Sequence, residues 1–416
     1  MNQEKRNIML YTMGKAVSIL GSSIYAFVIS LYVLKITGSA LNFATTLMLS
    51  VVPMVVISPF AGVIADRLPK KWLVVGMDFA NGLLFAVIFW YANAASLTLA
   101  TIYISTVILN IFTTFFSLGL EAAKPSLVSP EKLVRLNSLS KLIDSSAAIL
   151  GPVIGGIVFA LVDIRLFILF NALSFAFSGF TECFIDYHLN RDQGNESDAL
   201  DLTRKYSNTN RFFKELNDGW QFFSKNQSIL ELFFVFVSLN FLLGFSVNVP
   251  APYIINQVLK LPSSSFGIIN SMFPVGLIFG TLTVEWVMKK VAFRKLLISM
   301  NAFIAVLAAF VGLPVLLHMN QTSNLLYYSV MNILMGIAIA YVDVPIMTIM
   351  QTEIPQKLLG RVMSLIMSLV KLVLPIALIA SGFLLNVMPI VILPILGASV
   401  AFFYSLYLLT MNQDTI

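Results

Sequence analysis

Twelve apolar stretches dominate this chain of 416 residues. A helix needs about 20 apolar residues to cross the roughly 30 Å hydrocarbon core of a bilayer, and every stretch is that long. The chain is 58% hydrophobic and 11% charged, which leaves too little polar surface to cover a water-soluble particle. We therefore expect an all-α membrane protein. The predicted spans are 11–34, 41–64, 72–92, 99–120, 137–161, 164–185, 228–250, 264–287, 296–317, 325–349, 362–385 and 389–411.

One long polar segment divides the spans into two groups of six. The predicted domains are an N-terminal six-helix bundle over 1–185, a linker over 186–226 and a C-terminal six-helix bundle over 227–416. The second part of the linker is predicted to form a basic amphipathic helix, which either lies along the membrane surface or packs against the ends of the bundle. Its apolar face comprises Phe212, Phe213, Leu216, Trp220 and Phe223.

The distribution of basic residues predicts which side of the membrane holds the termini. An even number of spans places both termini on one side. Short segments on that side carry fourteen Lys and Arg residues, against three on the other side (Lys35, Arg165 and Lys260). Positive residues favour the cytoplasmic side, so we expect cytoplasmic termini and a cytoplasmic linker.

Composition argues against several other classes of protein. The single cysteine, Cys183, rules out an internal disulfide, and His188 and His318 are too far apart in sequence to suggest a metal site. We expect no metal and no cofactor. The net charge of +6 follows mainly from the basic residues of the cytoplasmic loops, so the partner it indicates is the lipid bilayer and not nucleic acid.

Two motifs carry a family resemblance. The segment GVIADRLPKK at 62–71 resembles the G-x-x-x-D-R-x-x-R/K loop between the second and third helices of the major facilitator superfamily. The segment GPVIGG at 151–156 resembles the G-P-x-x-G-G antiporter motif of its fifth helix. The residues that match are Gly62, Asp66, Arg67, Lys70 and Lys71 in the loop, and Gly151, Pro152, Gly155 and Gly156 in the helix.

Longer segments resemble one bacterial branch of that superfamily, the branch of macrolide efflux proteins and the enterobactin exporter. They lie at 120–139, 212–230 and 350–365. The resemblance implies the major facilitator fold, two six-helix bundles related by pseudo-symmetry, and export coupled to protons. One departure concerns the coupling, because the fourth helix lacks the membrane arginine of the R-x-x-x-G motif found in many drug antiporters.

The loop motif predicts a cytoplasmic gate. Asp66 can face the positive end of the eleventh helix, whose first turn we expect near Arg361, while Arg67, Lys70 and Lys71 hold the loop at the anionic lipid surface. The alternative is a basic loop that only sets topology and contains a helix-capping aspartate. In the second motif, glycines allow close helix approach and proline bends the helix, so packing is at least as good an explanation as coupling.

Charged residues inside the spans are candidates for ion coupling, because charge in a bilayer is unfavourable. Asp343 and Lys371 are predicted to lie at similar depth, and Asp144 lies one turn from Lys141, so each could form a pair. Asp78 is the remaining candidate. The alternative for each pair is a salt bridge that only offsets desolvation.

In the family, the first, fourth, seventh and tenth helices line the substrate cavity, and here each carries polar residues at helical spacing. Interhelical packing is the alternative explanation for such residues. Amides, hydroxyls and rings would suit a bulky, largely apolar substrate. The cavity candidates are Tyr25, Asn110, Asn240, Asn248 and Asn332.

The sequence thus predicts a secondary active transporter in a bacterial plasma membrane. It would export a hydrophobic or amphipathic compound by alternating access, as a monomer, through proton-coupled multidrug or macrolide-type efflux. Uptake of a metabolite by symport is the alternative within transport, and a non-transporting signalling or scaffold protein is the alternative outside it. An enzyme is not expected, since the chain has two histidines and one cysteine from which to build a catalytic site.

Overall fold

The computed structural model describes residues 3–187, 189 and 220–410, without the side chains of residues 59–60, 62–67, 356–357, 360–361, 364 and 407–410. All regular structure in these ranges is helical, as predicted. The helices are α1 Gln3–Thr37, α2 Ala40–Arg67, α3 Lys70–Ala94, α4 Leu99–Leu127, α5 Pro130–Leu161, α6 Ile164–Cys183, α7 Gln227–Val258, α8 Ser263–Met288, α9 Phe293–Leu317, α10 Gln321–Glu353, α11 Gln356–Leu384 and α12 Ile392–Thr410.

Eleven of the described helices are long and apolar enough to cross a membrane, and α12 contributes a shorter apolar stretch over Ile392–Leu406. The prediction of an all-α membrane protein is therefore confirmed. The chain divides into two compact units, one of Met1–Ile36 with Leu49–Ala199 and one of Thr37–Met48 with Leu200–Ile416. The start of α2 thus groups with the second unit.

Polar residues immediately before four helices explain where those helices begin. The side chain of Thr98 accepts a hydrogen bond from the backbone N–H of Thr101, and Asp163, Asn226 and Asn320 cap α6, α7 and α10 in the same way. Each cap satisfies one of the backbone donors that a helix start leaves without a partner.

Most helices extend beyond the predicted spans, and two of these extensions matter for the site. α7 continues past residue 250 to Val258, and π-helical turns over Leu243–Val247 and Ile254–Val258 interrupt its regular hydrogen bonding. α11 begins at Gln356, so the expectation that its first turn lies near Arg361 was wrong. Pro355 immediately precedes α11 and marks its start. The hydropathy pattern did not predict the polar first turn of α11, because that turn does not need to lie in hydrocarbon.

The described end of the linker packs against the second unit. Residues 220–225 are helical. Trp220 is 48% exposed, whereas Phe223 is buried and its ring centroid lies 5.2 Å from that of Phe233 on α7. This end of the predicted amphipathic helix is therefore packed on one face. Phe212, Phe213 and Leu216 lie outside the described residues.

The second unit contains a close helix contact that the sequence analysis did not identify. Glycines bring α8 and α10 together: a Cβ on Gly336 would lie 2.8 Å from the backbone nitrogen of Leu277, and one on Gly280 would lie 2.8 Å from the carbonyl oxygen of Ile337. Gly276 likewise faces the backbone of Ile333. Gly276 and Gly280 form a G-x-x-x-G pair, which lets two helix backbones approach in lipid.

We expect Gly336→Val to lower the stability of the purified protein by about 1–3 kcal/mol, because the new side chain would overlap the α8 backbone. Gly76→Val is the matched control, since no atom lies within 4 Å of a Cβ built at Gly76. Thermal unfolding in detergent measures both variants. Equal midpoints for the two variants would contradict the assignment of this contact.

Candidate functional site

The gate motif lies where α2 meets α3. α2 ends at Arg67 and α3 begins at Lys70, so the loop between them is very short. Lys71 is exposed and Lys70 is half-buried. The described residues do not include the side chains of Asp66, Arg67 and Arg361 or the surroundings of Gly62. The gate therefore stays a prediction.

The GPVIGG segment contacts α1. Gly151, Gly155 and Gly156 are buried and Pro152 is half-buried within α5. A Cβ on Gly155 would lie 2.8 Å from the Phe27 ring, and Gly151 faces the hydroxyl of Ser23. These contacts are of the kind that a packing role requires.

Ser23 itself strengthens the same helix contact, since its Oγ donates a hydrogen bond to the carbonyl oxygen of Ala147 at 3.0 Å. The bond runs from α1 to α5 and lies one turn before Gly151. A larger residue at position 151 would displace the Ser23 hydroxyl. The hydrogen bond from Ser23 to Ala147 therefore requires glycine at position 151.

A buried lysine links three helices of the first unit. Lys15 of α1 is 5% exposed, and its Nζ lies 2.9 Å from a carboxylate oxygen of Asp144 on α5 and 3.7 Å from one of Glu121 on α4. Lys124 also pairs with Glu121, at 2.5 Å. Asp144 therefore pairs with a different helix and not locally with Lys141, which is exposed.

A second polar group in the first unit joins α1, α3 and α6. The hydroxyl of Ser18 donates to a carboxylate oxygen of Asp78 at 2.5 Å, and its oxygen lies 2.9 Å from the hydroxyl oxygen of Ser178. Ser178 in turn donates to the carbonyl oxygen of Gly14 at 2.9 Å. Glu182, one turn after Ser178, is fully buried against Gly14 and was not among the predicted residues.

The second unit places Asp343 on α10 and Lys371 on α11. Asp343 is half-buried and Lys371 is exposed. Among the described residues, neither side chain forms an ion pair or a hydrogen bond, so the suggested pairing of these two residues is not present in this conformation. Asp343 is an acid in the last third of a membrane helix with no counter-charge among the described side chains.

Three of the cavity candidates use their amides in the same way. The side-chain nitrogens of Asn110, Asn240 and Asn332 each donate to the carbonyl oxygen one turn earlier, at 2.7, 3.0 and 2.8 Å. All three side chains are half-buried. Each asparagine thus uses one of its two amide donors within its helix, and its polarity alone does not identify a substrate contact.

Tyr25 and Asn248 differ from these asparagines. Tyr25 is 3% exposed and lies in the core of the first unit, where its ring centroid is 4.8 Å from that of Phe85. Its hydroxyl lies 3.4 Å from that of Ser105. In this conformation Tyr25 packs the bundle and faces no open surface. Asn248 lies at the end of the first π-helical turn of α7 and is exposed.

Comparison with known proteins identifies the class to which this architecture belongs. The sequence profile of the Major Facilitator Superfamily matches residues 12–378. The chain belongs to this superfamily of membrane transporters. The predicted family and fold class are therefore confirmed, and the match indicates a transporter and not an enzyme.

Relatives from two bacterial species are both named macrolide efflux protein A. Macrolide efflux protein A of Streptococcus pyogenes is 24% identical over 372 residues, which cover 89% of this chain and 87% of the relative. Macrolide efflux protein A of Enterococcus faecalis is 23% identical over 344 residues, which cover 82% of this chain and 100% of the relative. Among solved structures, a bacterial homologue of the iron transporter ferroportin in its inward-facing state shares the fold, with a TM-score of 0.70, 17% identity and coverage of 98% and 99% of the two chains.

The ion pair between Lys15 and Asp144 gives a testable prediction. Asp144→Asn should destabilise the protein by about 1–3 kcal/mol, because a buried ammonium loses its nearest counter-charge. Adding Lys15→Met should restore part of this loss. Lys141→Met is the control on the same helix, and its unfolding midpoint should be unchanged. Strictly additive losses in the double variant would show that the two side chains do not interact.

Proposed function

We propose that this transporter exports a hydrophobic or amphipathic compound by alternating access, with proton entry as the driving force. The observation that carries the proposal is the alignment of two proteins named macrolide efflux protein A over most of both chains. At 23–24% identity, the substrate is proposed as a class and not as a particular compound.

The chemistry of the candidate lining supports an apolar substrate. Asn110, Asn240 and Asn332 already donate to their own helices, and Lys15, the buried charge of α1, is paired with acids of neighbouring helices. A substrate with a charged group would need a buried counter-charge, whereas a bulky apolar compound needs shape and apolar surface. We place the protein in a bacterial plasma membrane, since its relatives are bacterial, and as a monomer. The distribution of Lys and Arg supports cytoplasmic termini.

Asp343 is the proposed proton-coupling acid. It lies within a membrane helix, in its last third, and has no ion-pair or hydrogen-bond partner among the described residues. Such a group changes its interactions strongly when it gains or loses a proton, and membrane carboxyls of this kind mark proton pathways. Substrate binding at α10 and protonation of the Asp343 carboxyl would then occur in alternate steps of the transport cycle.

Inside-out vesicles test the proposed function. A radiolabelled macrolide should accumulate in vesicles that hold the wild-type protein when the lumen is acidic, and accumulation should stop when an ionophore removes the pH gradient. Asp343→Asn should abolish this accumulation and retain downhill exchange, while Asp343→Glu should retain part of both.

The alternatives give different results in the same vesicles. Accumulation that needs an opposite gradient would indicate uptake by symport, and the absence of movement for any compound in a broad panel would favour a signalling or scaffold role. If Asp343→Asn accumulates substrate as the wild type does, Asp343 is structural.

The gate motif gives a separate prediction. An aspartate at position 66 can bind a helix N-terminus only while the cytoplasmic side is closed, so Asp66→Asn should favour the inward-open state. Cysteines introduced along the proposed cavity, in a Cys183→Ser background, should react faster with a cytoplasmic thiol reagent in Asp66→Asn. Asp66→Glu keeps the charge and is the control. Equal labelling rates with normal transport would exclude a gating role.

A further inference from the structure

Two acidic side chains lie inside the first unit without a counter-charge among the described residues. Asp78 on α3 and Glu182 in the last turn of α6 are each 0% exposed. α3 packs along α6, and the serine pair that joins these helices to α1 lies between the two acids. Ser178 lies one turn before Glu182 on α6 and contacts Ser18, which bonds Asp78, so a short chain of side chains joins the two carboxyl groups.

Most of the oxygen atoms of this pair have no hydrogen-bond partner among the described residues. One oxygen of Asp78 accepts the Ser18 bond, but the other oxygen and both oxygens of Glu182 accept none. The nearby Ser178 hydroxyl does not supply this bond, because its one proton goes to the carbonyl oxygen of Gly14. The Glu182 carboxylate packs directly against Gly14, where a Cβ would lie 2.6 Å from its Oε1 atom. Glycine at position 14 therefore makes the space that the carboxylate fills.

The groups around the pair supply no positive charge. Besides Asp78, the described titratable side chains near Glu182 include Tyr11, Tyr187 and Cys183, none of which carries a positive charge. The guanidinium of Arg6 is directed to the carbonyl oxygen of Phe184. Lys15 follows Gly14 in sequence, but its ammonium group is directed to Asp144. Within the described part of the chain, neither Asp78 nor Glu182 forms an ion pair.

This arrangement is stable only if the pair is at least partly neutralised. A buried carboxylate without counter-charge is unfavourable by several kcal/mol, and a second carboxylate beside it adds repulsion. A metal ion would need several oxygen ligands around a vacant volume, whereas Glu182 already contacts Gly14. A proton needs no such volume. We propose that Asp78 and Glu182 form a buried proton-binding site that holds one exchangeable proton.

In this proposal the proton enters through a cavity of about 420 Å³ beside the last turn of α6. Its lining includes Cys183 and Tyr187, which follow Glu182 in sequence, and the cations Arg6 and Lys71. The Tyr187 hydroxyl is buried and has no hydrogen-bond partner among the described residues. Burial, and secondly the nearby Glu182, raises the pKa of Tyr187, so this residue remains a neutral donor. Water in the cavity would give up the proton to the carboxylate and take it back by the same route.

The proposal goes beyond the proposed function, because it concerns proton binding at equilibrium and holds for either direction of transport. Its outcome is therefore separable from that of the vesicle experiments. Failure of macrolide export would leave the proton site intact, and failure of the measurements below would leave proton-driven export through Asp343 intact.

The first test is the pH dependence of unfolding in detergent. Both acids are ionised in the unfolded chain at neutral pH, so a proton held only by the folded state makes stability fall as pH rises. One such proton changes the unfolding equilibrium constant by about tenfold per pH unit. The double variant Asp78→Asn/Glu182→Gln, which mimics the neutral pair, should lose this dependence. The exposed pair Glu131→Gln/Glu353→Gln is the control and should retain it.

The second test detects the proton in the wild-type protein and does not depend on any variant that fails to fold. Infrared spectra in heavy water should show the C=O stretch of a protonated carboxylic acid at neutral pH, and raising the pH should remove it. Glu182→Gln and Asp78→Asn should each reduce the band.

Two results would overturn the proposal. One is the same pH dependence of unfolding in the wild type and in Asp78→Asn/Glu182→Gln, with no change in the carboxylic acid band. The other is stabilisation of the wild type by NaCl over an equal concentration of choline chloride, absent from the double variant, because it would assign the site to sodium.

Discussion

The fold depends on the fact that hydrocarbon offers no hydrogen-bond partner. Every backbone amide must bond within its helix, and polar side chains must find partners inside the bundle. Ser30, Thr45 and Asn171 each donate to the carbonyl oxygen one turn earlier, at 2.7, 2.8 and 3.0 Å. Helices whose polar groups are already hydrogen-bonded internally gain little from polar contacts with each other. Their association therefore relies on close packing at glycines. The contact between α8 and α10 in the second unit and the contact of Gly151 with α1 in the first unit are two results of the same constraint.

The sequence predicted the number and type of the helices well because hydropathy reports directly on the bilayer. It predicted their ends less well. α11 and α7 both extend beyond the apolar runs, since a helix continues through polar residues once it has left the hydrocarbon. The π-helical turns of α7 have no simple sequence pattern, because they depend on how the helix packs in three dimensions.

Side-chain partners were harder to predict than helices. The sequence suggested that Asp144 pairs one turn away on its own helix, whereas its partner Lys15 is more than 120 residues distant. Glu182 was missed because an acid at the end of a span resembles a membrane-boundary residue, and its burial depends on the space at Gly14. The G-x-x-x-G pair of Gly276 and Gly280, by contrast, is a recognisable sequence pattern that predicts a close helix contact.

Lys15 and Asp343 differ in whether a counter-charge holds them, and this difference bears on transport. In the first unit, Lys15 is neutralised by acids from neighbouring helices, so its charge is fixed in place. Asp343 in the second unit has no such partner among the described residues. Its protonation state can therefore change in each transport cycle without breaking an ion pair. A proposed cavity with satisfied amides and one titratable acid would discriminate its substrates mainly by apolar contacts. Since a single methylene in an apolar pocket is worth only about 1–3 kcal/mol, such a cavity would accept a range of large apolar compounds and would reject those that bring an uncompensated charge.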